Sequence, residues 1–243
     1  MAVKADIKAL YEAGAHFGHK TSRWHPKMAS NIHSKRGDSH IINLEKTVAA
    51  FDEVLPLVTK TVAAGKKVLF VGTKKQAKDA VRTAAESCDQ PFVTERWIGG
   101  MLTNVDTITA QIRKLRDLEK RMASGDLEKR YSKLEVQRYQ EEIDDLNSKY
   151  VGIKDLTGKP GLVVVFDVLT DVNAVREANT LNVPVVGIVD SNANPDVVTH
   201  AIPGNDDALK AIQTYLDLFV AAVREGLGSA KKAADNTAKG EEK

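Results

Sequence analysis

The histidines are the first residues in this sequence whose type and spacing suggest chemistry. Five of the six fall within 25 residues, from His16 to His40, and clustered imidazoles are common metal ligands. No neighbouring carboxylate or cysteine completes a tetrahedral set, and Gly18 and Pro26 indicate loop geometry. Basic and aromatic residues are interleaved with the histidines, which favours contact with phosphate and stacking on bases or sugars. A basic surface loop with Trp24 packed as a core anchor is the alternative.

The turn Gly72-Thr73-Lys74-Lys75 is a second candidate, because it follows a predicted strand and opens a predicted helix. Free backbone amides and the helix dipole can hold a phosphate at such a turn. The dinucleotide fingerprint and the P-loop both need glycines that this turn lacks. The two lysines therefore favour contact with an RNA backbone over a nucleotide site, and a solvated helix start is the alternative.

A third candidate is the stretch from Arg96 to Asn104, in which Arg96 and Trp97 stand beside Gly99 and Gly100. A planar cation, a large aromatic ring and two glycines that allow close backbone approach suit RNA contact. A turn that locks neighbouring elements together has the same composition.

Several aspartates fall near predicted strand ends or helix starts, where an enzyme would keep groups for magnesium binding or general base catalysis. No serine, histidine or lysine lies at a spacing that completes a catalytic set, so helix capping is the favoured role. Whether these acids or the clustered histidines bind a metal stays open. The aspartates are Asp167, Asp190, Asp196, Asp206 and Asp207.

Charge is divided unevenly along the chain, although the formal net charge is only +2. Residues 1–103 hold sixteen lysines and arginines against ten acidic residues, and residues 150–243 hold nine against thirteen. This asymmetry suits a polyanionic partner and equally a solvated basic face. The single cysteine, Cys88, excludes an internal disulfide. Because there is no signal-like start and no apolar run of about 20 residues, we expect a cytoplasmic protein.

The elements that position these residues are predicted by three apolar runs rich in β-branched residues: Val68–Val71, Leu162–Phe166 and Val185–Val189. Continuously apolar strands are typical of a parallel sheet that is covered on both faces. Amphipathic segments at 45–64, 74–87, 171–181 and 206–225 predict intervening helices, and Phe92-Val93 begins another short strand. This alternation predicts a doubly wound α/β domain with its ligand surface beyond the carboxyl ends of the strands.

Residues 104–149 break the pattern with charged residues around a sparse apolar stripe. Ser124-Gly125-Asp126 interrupts the first helical run, and Ser132 with Glu135 forms a capping box for a second helix. The 4-3-4 spacing of the later apolar residues predicts a protruding antiparallel coiled-coil hairpin, with an ordinary surface helix pair as the alternative. The small and polar residues of 229–243 predict a disordered tail.

Seven motifs, taken in order, are more specific than any of these features alone. They resemble the bacterial ribosomal protein S2 family from about Ile7 to Gly226. The motifs are Gly14-Ala15-His16-Phe17-Gly18-His19, Trp24-His25-Pro26-Lys27-Met28, Ile41-Ile42-Asn43-Leu44-Glu45-Lys46-Thr47, Phe70-Val71-Gly72-Thr73-Lys74, Arg96 to Asn104, Gly152-Ile153-Lys154-Asp155 and Ile202-Pro203-Gly204-Asn205-Asp206-Asp207-Ala208.

The resemblance implies a flavodoxin-like α/β domain of residues 1–103 and 150–228 with an inserted coiled-coil hairpin at 104–149. It implies a structural, non-enzymatic constituent of the small ribosomal subunit that binds ribosomal RNA between head and body and joins late in assembly. Implied partners are that RNA and neighbouring proteins including ribosomal protein S1, whose recruitment supports messenger RNA binding; no cofactor, membrane or small-molecule substrate is implied. The alternative is an α/β enzyme or regulatory domain that binds a nucleotide or phosphate.

Candidate site residues follow from chemistry and motif position. The residues expected to contact RNA are Lys20, Arg23, Trp24, Lys27, Lys35, Arg36, Lys74, Lys75, Arg96 and Trp97. A protein partner is expected on the hairpin, because its ten cations and ten acids cancel and a neutral surface gains little from counterion release. The residues expected there are Arg130, Tyr131, Arg138 and Tyr139. No catalytic or metal-binding residue is assigned.

Overall fold

The computed structural model describes residues 3–240 and places their strands in two sheets. The strands are β1 (Phe17–Lys20), β2 (Ile32–Arg36), β3 (Ser39–Ile42), β4 (Val68–Val71), β5 (Phe92–Val93), β6 (Leu162–Val165), β7 (Val185–Val189) and β8 (His200–Pro203). The helices are α1 (Ile7–Glu12), α2 (Leu44–Ala63), α3 (Lys78–Ser87), α4 (Val105–Ala123), α5 (Asp126–Arg130), α6 (Lys133–Tyr150), α7 (Val172–Thr180) and α8 (Leu209–Gly240). Of these helices, none has the length and apolar character needed to cross a membrane.

The larger sheet is parallel throughout and has the strand order β5-β4-β6-β7-β8. Counted along the chain, this is the 2-1-3-4-5 order of flavodoxin-like folds. Every residue of β4, β6 and β7 is buried, as their continuous apolar runs predict. The predicted α/β class and parallel sheet are therefore confirmed.

Two apolar layers cover the faces of this sheet. On one face, Phe70 of β4 and Phe166, which follows β6, pack against aromatic residues of two helices. These are Phe51 of α2 and Tyr215 and Phe219 of α8. The ring centroids of Phe51 and Tyr215 are 5.7 Å apart. On the other face, the alternate residues of β4, β6 and β7 pack against α7 and the base of the hairpin. Because successive side chains along a strand point to opposite faces of the sheet, each strand contributes residues to both apolar layers.

The segment from α4 to α6 is a helical hairpin whose tip is closed by α5. The capping box of Ser132 and Glu135 starts α6 as predicted. Leu115 of α4 and Ile143 of α6 are buried in the same apolar layer as the sheet residues, while Leu127 of α5 is fully buried at the tip. The hairpin base is therefore continuous with the core, and coiled-coil geometry remains a prediction.

The smaller sheet, β1-β3-β2, is antiparallel, and it corrects the interpretation of residues 16–40 as loop. Its strands are short and largely exposed, so they lack the apolar alternation that would have revealed them. Gly37, with φ of +59°, lies between β2 and β3. The backbone amide of His19 donates to Ser191 Oγ at 2.8 Å. The backbone amide of His25 donates to the backbone carbonyl oxygen of Ser191, also at 2.8 Å. The small sheet thus lies on the carboxyl edge of the large one.

The carboxyl-terminal helix differs from expectation, because α8 continues to Gly240 where a disordered tail is predicted from Ser229. Alanine and lysine are strong helix formers, so their abundance after residue 229 allows the helix to continue past its packed part. The end of the predicted tail, residues 241–243, lies outside the described residues.

Candidate nucleic-acid interface

Charged side chains converge where the parallel strands end. Lys74 follows β4, Asp167 follows β6, Asp190 follows β7, and Asp206 and Asp207 follow β8. The carboxyl ends of parallel strands share one edge of a sheet, so residues that are far apart in sequence meet there. The small sheet contributes one further side chain to this group, that of His19 in β1. The edge cluster consists of His19, Lys74, Asp167, Asp190, Asp206 and Asp207.

Lys74 is the central cation of the edge cluster. Its Nζ lies 2.8 Å from Asp206 Oδ1, 2.7 Å from Asp207 Oδ1 and 3.4 Å from Asp167 Oδ2, and its side chain is only 18% exposed. Burial alone would lower the pKa of Lys74, but the hydrogen bonds to Asp206 and Asp207 raise it well above its ordinary value. The ammonium has three donors and three carboxylates around it, so Lys74 is committed within the protein.

The acids around Lys74 differ in their affinity for protons. Burial raises the pKa of Asp206 to about 7, and the charges of Asp190 and Asp167 add to the rise while Lys74 opposes it. For Asp167, burial acts in the same direction, but hydrogen bonds from Thr170 and the charge of Lys74 hold the pKa below its ordinary value. Asp206 therefore depends on Lys74 for its ionised form.

His19 fastens the small sheet to the edge cluster. Its Nδ1 lies 3.0 Å from Asp190 Oδ2 and its Nε2 lies 3.3 Å from Asp207 Oδ2. The hydrogen bond to Asp190 raises the pKa of His19 and outweighs the lowering that burial causes. With a carboxylate at each ring nitrogen, the imidazolium is the form that satisfies both acids.

The turn at residues 72–75 shows why a phosphate is disfavoured there. The Thr73 backbone amide donates to Asp171 Oδ2 at 3.1 Å, and Thr73 Oγ1 donates to Asp171 Oδ1 at 2.7 Å. Burial raises the pKa of Asp171 to about 6, against the lowering by those hydrogen bonds. The chain's own carboxylates thus hold the amide and the ammonium that a nucleotide phosphate would use, and α3 begins only at Lys78.

A metal site is the other chemistry that the clustered histidines suggested. Within the described residues, His19, Asp206 and Asp207 offer ligand atoms that all lie within 4.8 Å of one another. The ammonium of Lys74 already neutralises both of those carboxylates and would repel a divalent ion. His16 serves aromatic packing instead, because its ring centroid lies 4.5 Å from Tyr11 and 4.0 Å from Phe17.

The outer surface of the small sheet carries exposed cations. Lys20, Arg23, Lys35 and Arg36 are exposed, and none of them forms an ion pair with another side chain of residues 3–230. Trp24 beside them is 40% exposed, so it is not the buried anchor of the alternative interpretation. Five of the residues expected to contact RNA are therefore exposed on the small sheet or in the turn after β1.

Comparison with known proteins gives this surface a context. The sequence profile of the family described as ribosomal protein S2 matches residues 10–226. The chain is 46% identical over 228 residues to small ribosomal subunit protein uS2 of Rickettsia rickettsii (strain Sheila Smith), covering 94% of this chain and 77% of that protein. It is also 46% identical over 222 residues to small ribosomal subunit protein uS2 of Aeromonas salmonicida (strain A449), covering 91% of each. The chain belongs to the ribosomal protein S2 family.

Membership in the ribosomal protein S2 family confirms the resemblance drawn from the seven motifs. The relatives are ribosomal proteins and not enzymes, which confirms the expectation of a non-catalytic chain. The edge cluster lies where α/β enzymes usually have their active site. In this chain its charged residues form ion pairs with one another.

The remaining residues expected to contact RNA differ in their exposure to solvent. Lys75 and Arg96 are exposed, and Lys27 is exposed and pairs with Asp196. Trp97 is buried and its indole Nε1 donates to Glu177 Oε1 at 2.9 Å. Trp97, like Lys74, thus supports the surface from within.

Glu177 of α7 is a structural residue that sequence reasoning missed. Besides Trp97, the backbone amides of Gly100, Leu102 and Thr103 donate to its carboxylate at 2.8, 3.0 and 3.2 Å. Burial would raise its pKa, but these hydrogen bonds hold the pKa of Glu177 below its ordinary value. Glu177 therefore ties residues 97–103 to α7. The sequence around Glu177 contains no pattern that predicts these hydrogen bonds.

The residues expected to meet a protein partner lie near the hairpin tip. The rings of Tyr131 and Tyr139 pack edge to face with centroids 5.2 Å apart. Arg130 pairs with Asp126 at 2.8 Å, and Arg138 is exposed. The four residues thus share one end of the molecule, on a helical support.

Proposed function

We propose that this chain is a structural constituent of the small ribosomal subunit and binds ribosomal RNA through the outer surface of its small sheet. The observation that carries the proposal is a set of four exposed cations, which form no ion pair within residues 3–230 and lie on the small sheet or in the turn after β1: Lys20, Arg23, Lys35 and Arg36. The sheet itself is anchored to the carboxyl edge. Each cation that neutralises a phosphate releases counterions, which is the main source of affinity for RNA. Lys27, Lys75, Arg96 and Trp24 extend this surface.

Recognition of a folded RNA by this surface would depend on shape and backbone position. The deep major groove of A-form RNA is closed to side chains, so cations fixed on a rigid sheet read the spacing of phosphates. Lys74 and Trp97 contribute indirectly, because they hold the small sheet and the 97–103 segment in place. A backbone that is already ordered in a sheet loses less conformational entropy on binding than a mobile loop.

The test is a double substitution, Lys35→Ala with Arg36→Ala, on the end of β2. We expect weaker association with small-subunit RNA and a fall of roughly 1 to 2 in the slope of log affinity against log salt. Lys60→Ala with Lys66→Ala is the matched control, because both lysines are exposed near the amino end of β4, at the opposite edge of the sheet. An unchanged slope in the β2 variant, or an equal change in both, would remove the small sheet from the RNA-contact surface.

The finer parts of the role rest on the family resemblance and the hairpin. We propose that the chain joins late, between head and body of the cytoplasmic ribosome's small subunit, and supports recruitment of ribosomal protein S1 and messenger RNA. The hairpin tip suits a protein contact, since Leu134 is 60% exposed between Arg130 and Arg138, and mixed apolar and arginine surfaces are typical of interfaces.

Charge reversal at the tip tests the protein contact. Arg130→Glu with Arg138→Glu should reduce the amount of ribosomal protein S1 that co-purifies with otherwise complete small subunits. Arg82→Glu on α3, a paired surface arginine, is the control. Undiminished recovery of S1 with the tip variant would place that partner elsewhere on the chain.

A further inference from the structure

The aromatic side chains that stay exposed are concentrated in one short stretch. Tyr11, Phe17 and Trp24 are 61%, 47% and 40% exposed. No other aromatic residue between positions 3 and 230 is among the exposed large hydrophobic residues of the structure. Exposed rings lose the free energy of burial, and exposed rings interleaved with cations are typical of surfaces that bind unpaired bases.

One of these rings, Phe17, borders a cleft of about 470 Å³ between β1 and the ends of β7 and β8. Lys20, Arg23, Asp190 and Asp207 also line this cleft. The volume falls in the range of small-ligand sites. The cleft therefore offers a stacking face, two cations and a carboxylate wall within one concave site.

We propose that this cleft receives a single unpaired nucleotide of the RNA, with its base stacked on Phe17 and its phosphate held by Lys20 and Arg23. This inference deepens the proposed function, on which it rests. The edge cluster fixes one carboxylate of the cleft, because His19 and Lys74 hold Asp207 through Oδ2 and Oδ1. A rigid cleft is suited to hold one splayed-out nucleotide, the usual target of sequence-specific RNA recognition.

The carboxylate wall also limits which base fits. Asp207 is 47% exposed, and an ionised carboxylate only accepts hydrogen bonds, with about four acceptor positions on its two oxygens. Lys74 and His19 use two of them, so acceptor capacity remains toward the cleft. A base with an exocyclic amino group can donate to it, as cytosine does to aspartate. Uracil has no exocyclic amino group, and its N3–H donor lies between two carbonyl oxygens that the carboxylate repels. We therefore infer a base of the amino class.

The first experiment measures association of the purified chain with small subunits that lack it, over a salt series. Phe17→Ala and Phe17→Leu should weaken association by about 5- to 100-fold, since stacking on one base is lost, with an unchanged salt slope because no cation is removed. Phe17→Trp should retain wild-type affinity. Leu227→Ala, which removes an apolar side chain of 36% exposure from a later turn of α8, is the control.

The second experiment uses fluorescein-labelled single-stranded C6 and U6 RNA with the wild-type chain and the same variants. We expect tighter binding of C6 than of U6 and loss of C6 binding with Phe17→Ala and Phe17→Leu but not with Phe17→Trp. Equal binding of C6 and U6 overturns the base assignment. Wild-type affinity of Phe17→Ala for subunits overturns the nucleotide cleft while leaving the proposed function intact, whereas a wild-type chain that binds no subunit RNA overturns the proposed function itself.

Discussion

Replacing Lys74 by methionine tests whether the edge cluster is the support that the structure indicates. The substitution keeps the length and apolar character of the stem and removes the ammonium that contacts Asp167, Asp206 and Asp207. Breaking a buried ion pair by removing one partner costs about 3 to 5 kcal/mol. Because Asp207 is 47% exposed and water can compensate it in part, we expect about 3 kcal/mol at pH 8.

The pH dependence of this loss follows from Asp206. Its pKa is about 7 in the folded protein against an ordinary value of 3.8, so between these values the folded state binds more protons than the unfolded chain and stability falls as pH rises. Ionised Asp206 is thus destabilising, and Lys74 offsets this above pH 7. At pH 5 Asp206 is protonated with or without Lys74, so the loss should fall to about 1 to 2 kcal/mol.

Urea unfolding at pH 8 and at pH 5 is the assay, with Lys75→Met as the matched control. Lys75 is exposed, and surface substitutions usually stay within about 0.5 kcal/mol. At pH 8 the Lys74 variant should also melt about 6 to 12 °C lower, given about 2 to 4 °C per kcal/mol for a chain of this size. A loss equal to that of Lys75→Met, or one that does not shrink between pH 8 and pH 5, would refute the role assigned to Lys74.

Two further substitutions test the 97–103 lock and the packing after α6. Glu177→Ala should lower the free energy of unfolding by about 2 to 4 kcal/mol and shift Trp97 fluorescence to the red, with Glu177→Gln in between; unchanged fluorescence would contradict the lock. Gly152→Ala should destabilise in urea, because a Cβ there would collide with the carbonyl oxygen of Phe92 and lie 2.6 Å from its ring. Gly228→Ala, which meets no neighbour within 4 Å, should be neutral or stabilising; equal effects would contradict the packing argument.

The parallel sheet could be predicted from the sequence because its buried strands have an unambiguous pattern. Val68–Val71 and Val185–Val189 are short, continuously apolar and rich in β-branched residues, which is typical of strands in a parallel sheet covered on both faces. The strands β2 and β8 were missed because their sequences, Ile32–Arg36 and His200–Pro203, carry lysine, histidine or proline and only partly buried faces. Their pairing depends on neighbours that a local pattern does not contain.

The candidate site was predictable in its residues but not in its pairings. Lys74 and Asp206 are 132 positions apart, and only the shared edge of the parallel strands brings them together. The aspartates at the strand ends were recognised individually and assigned to helix capping, so their convergence on Lys74 was overlooked. The exposed cations of the small sheet, such as Lys35 and Arg36, could be predicted from side-chain chemistry and motif position, which need no knowledge of the fold.

The most direct test of the central claim is a density map of the small ribosomal subunit assembled with this chain. The account predicts ribosomal RNA within contact distance of Lys20, Arg23, Lys35 and Arg36, with the small sheet still fastened to the carboxyl edge through His19. It would be contradicted by a map in which the small sheet faces solvent or protein while RNA lies against another surface of the chain.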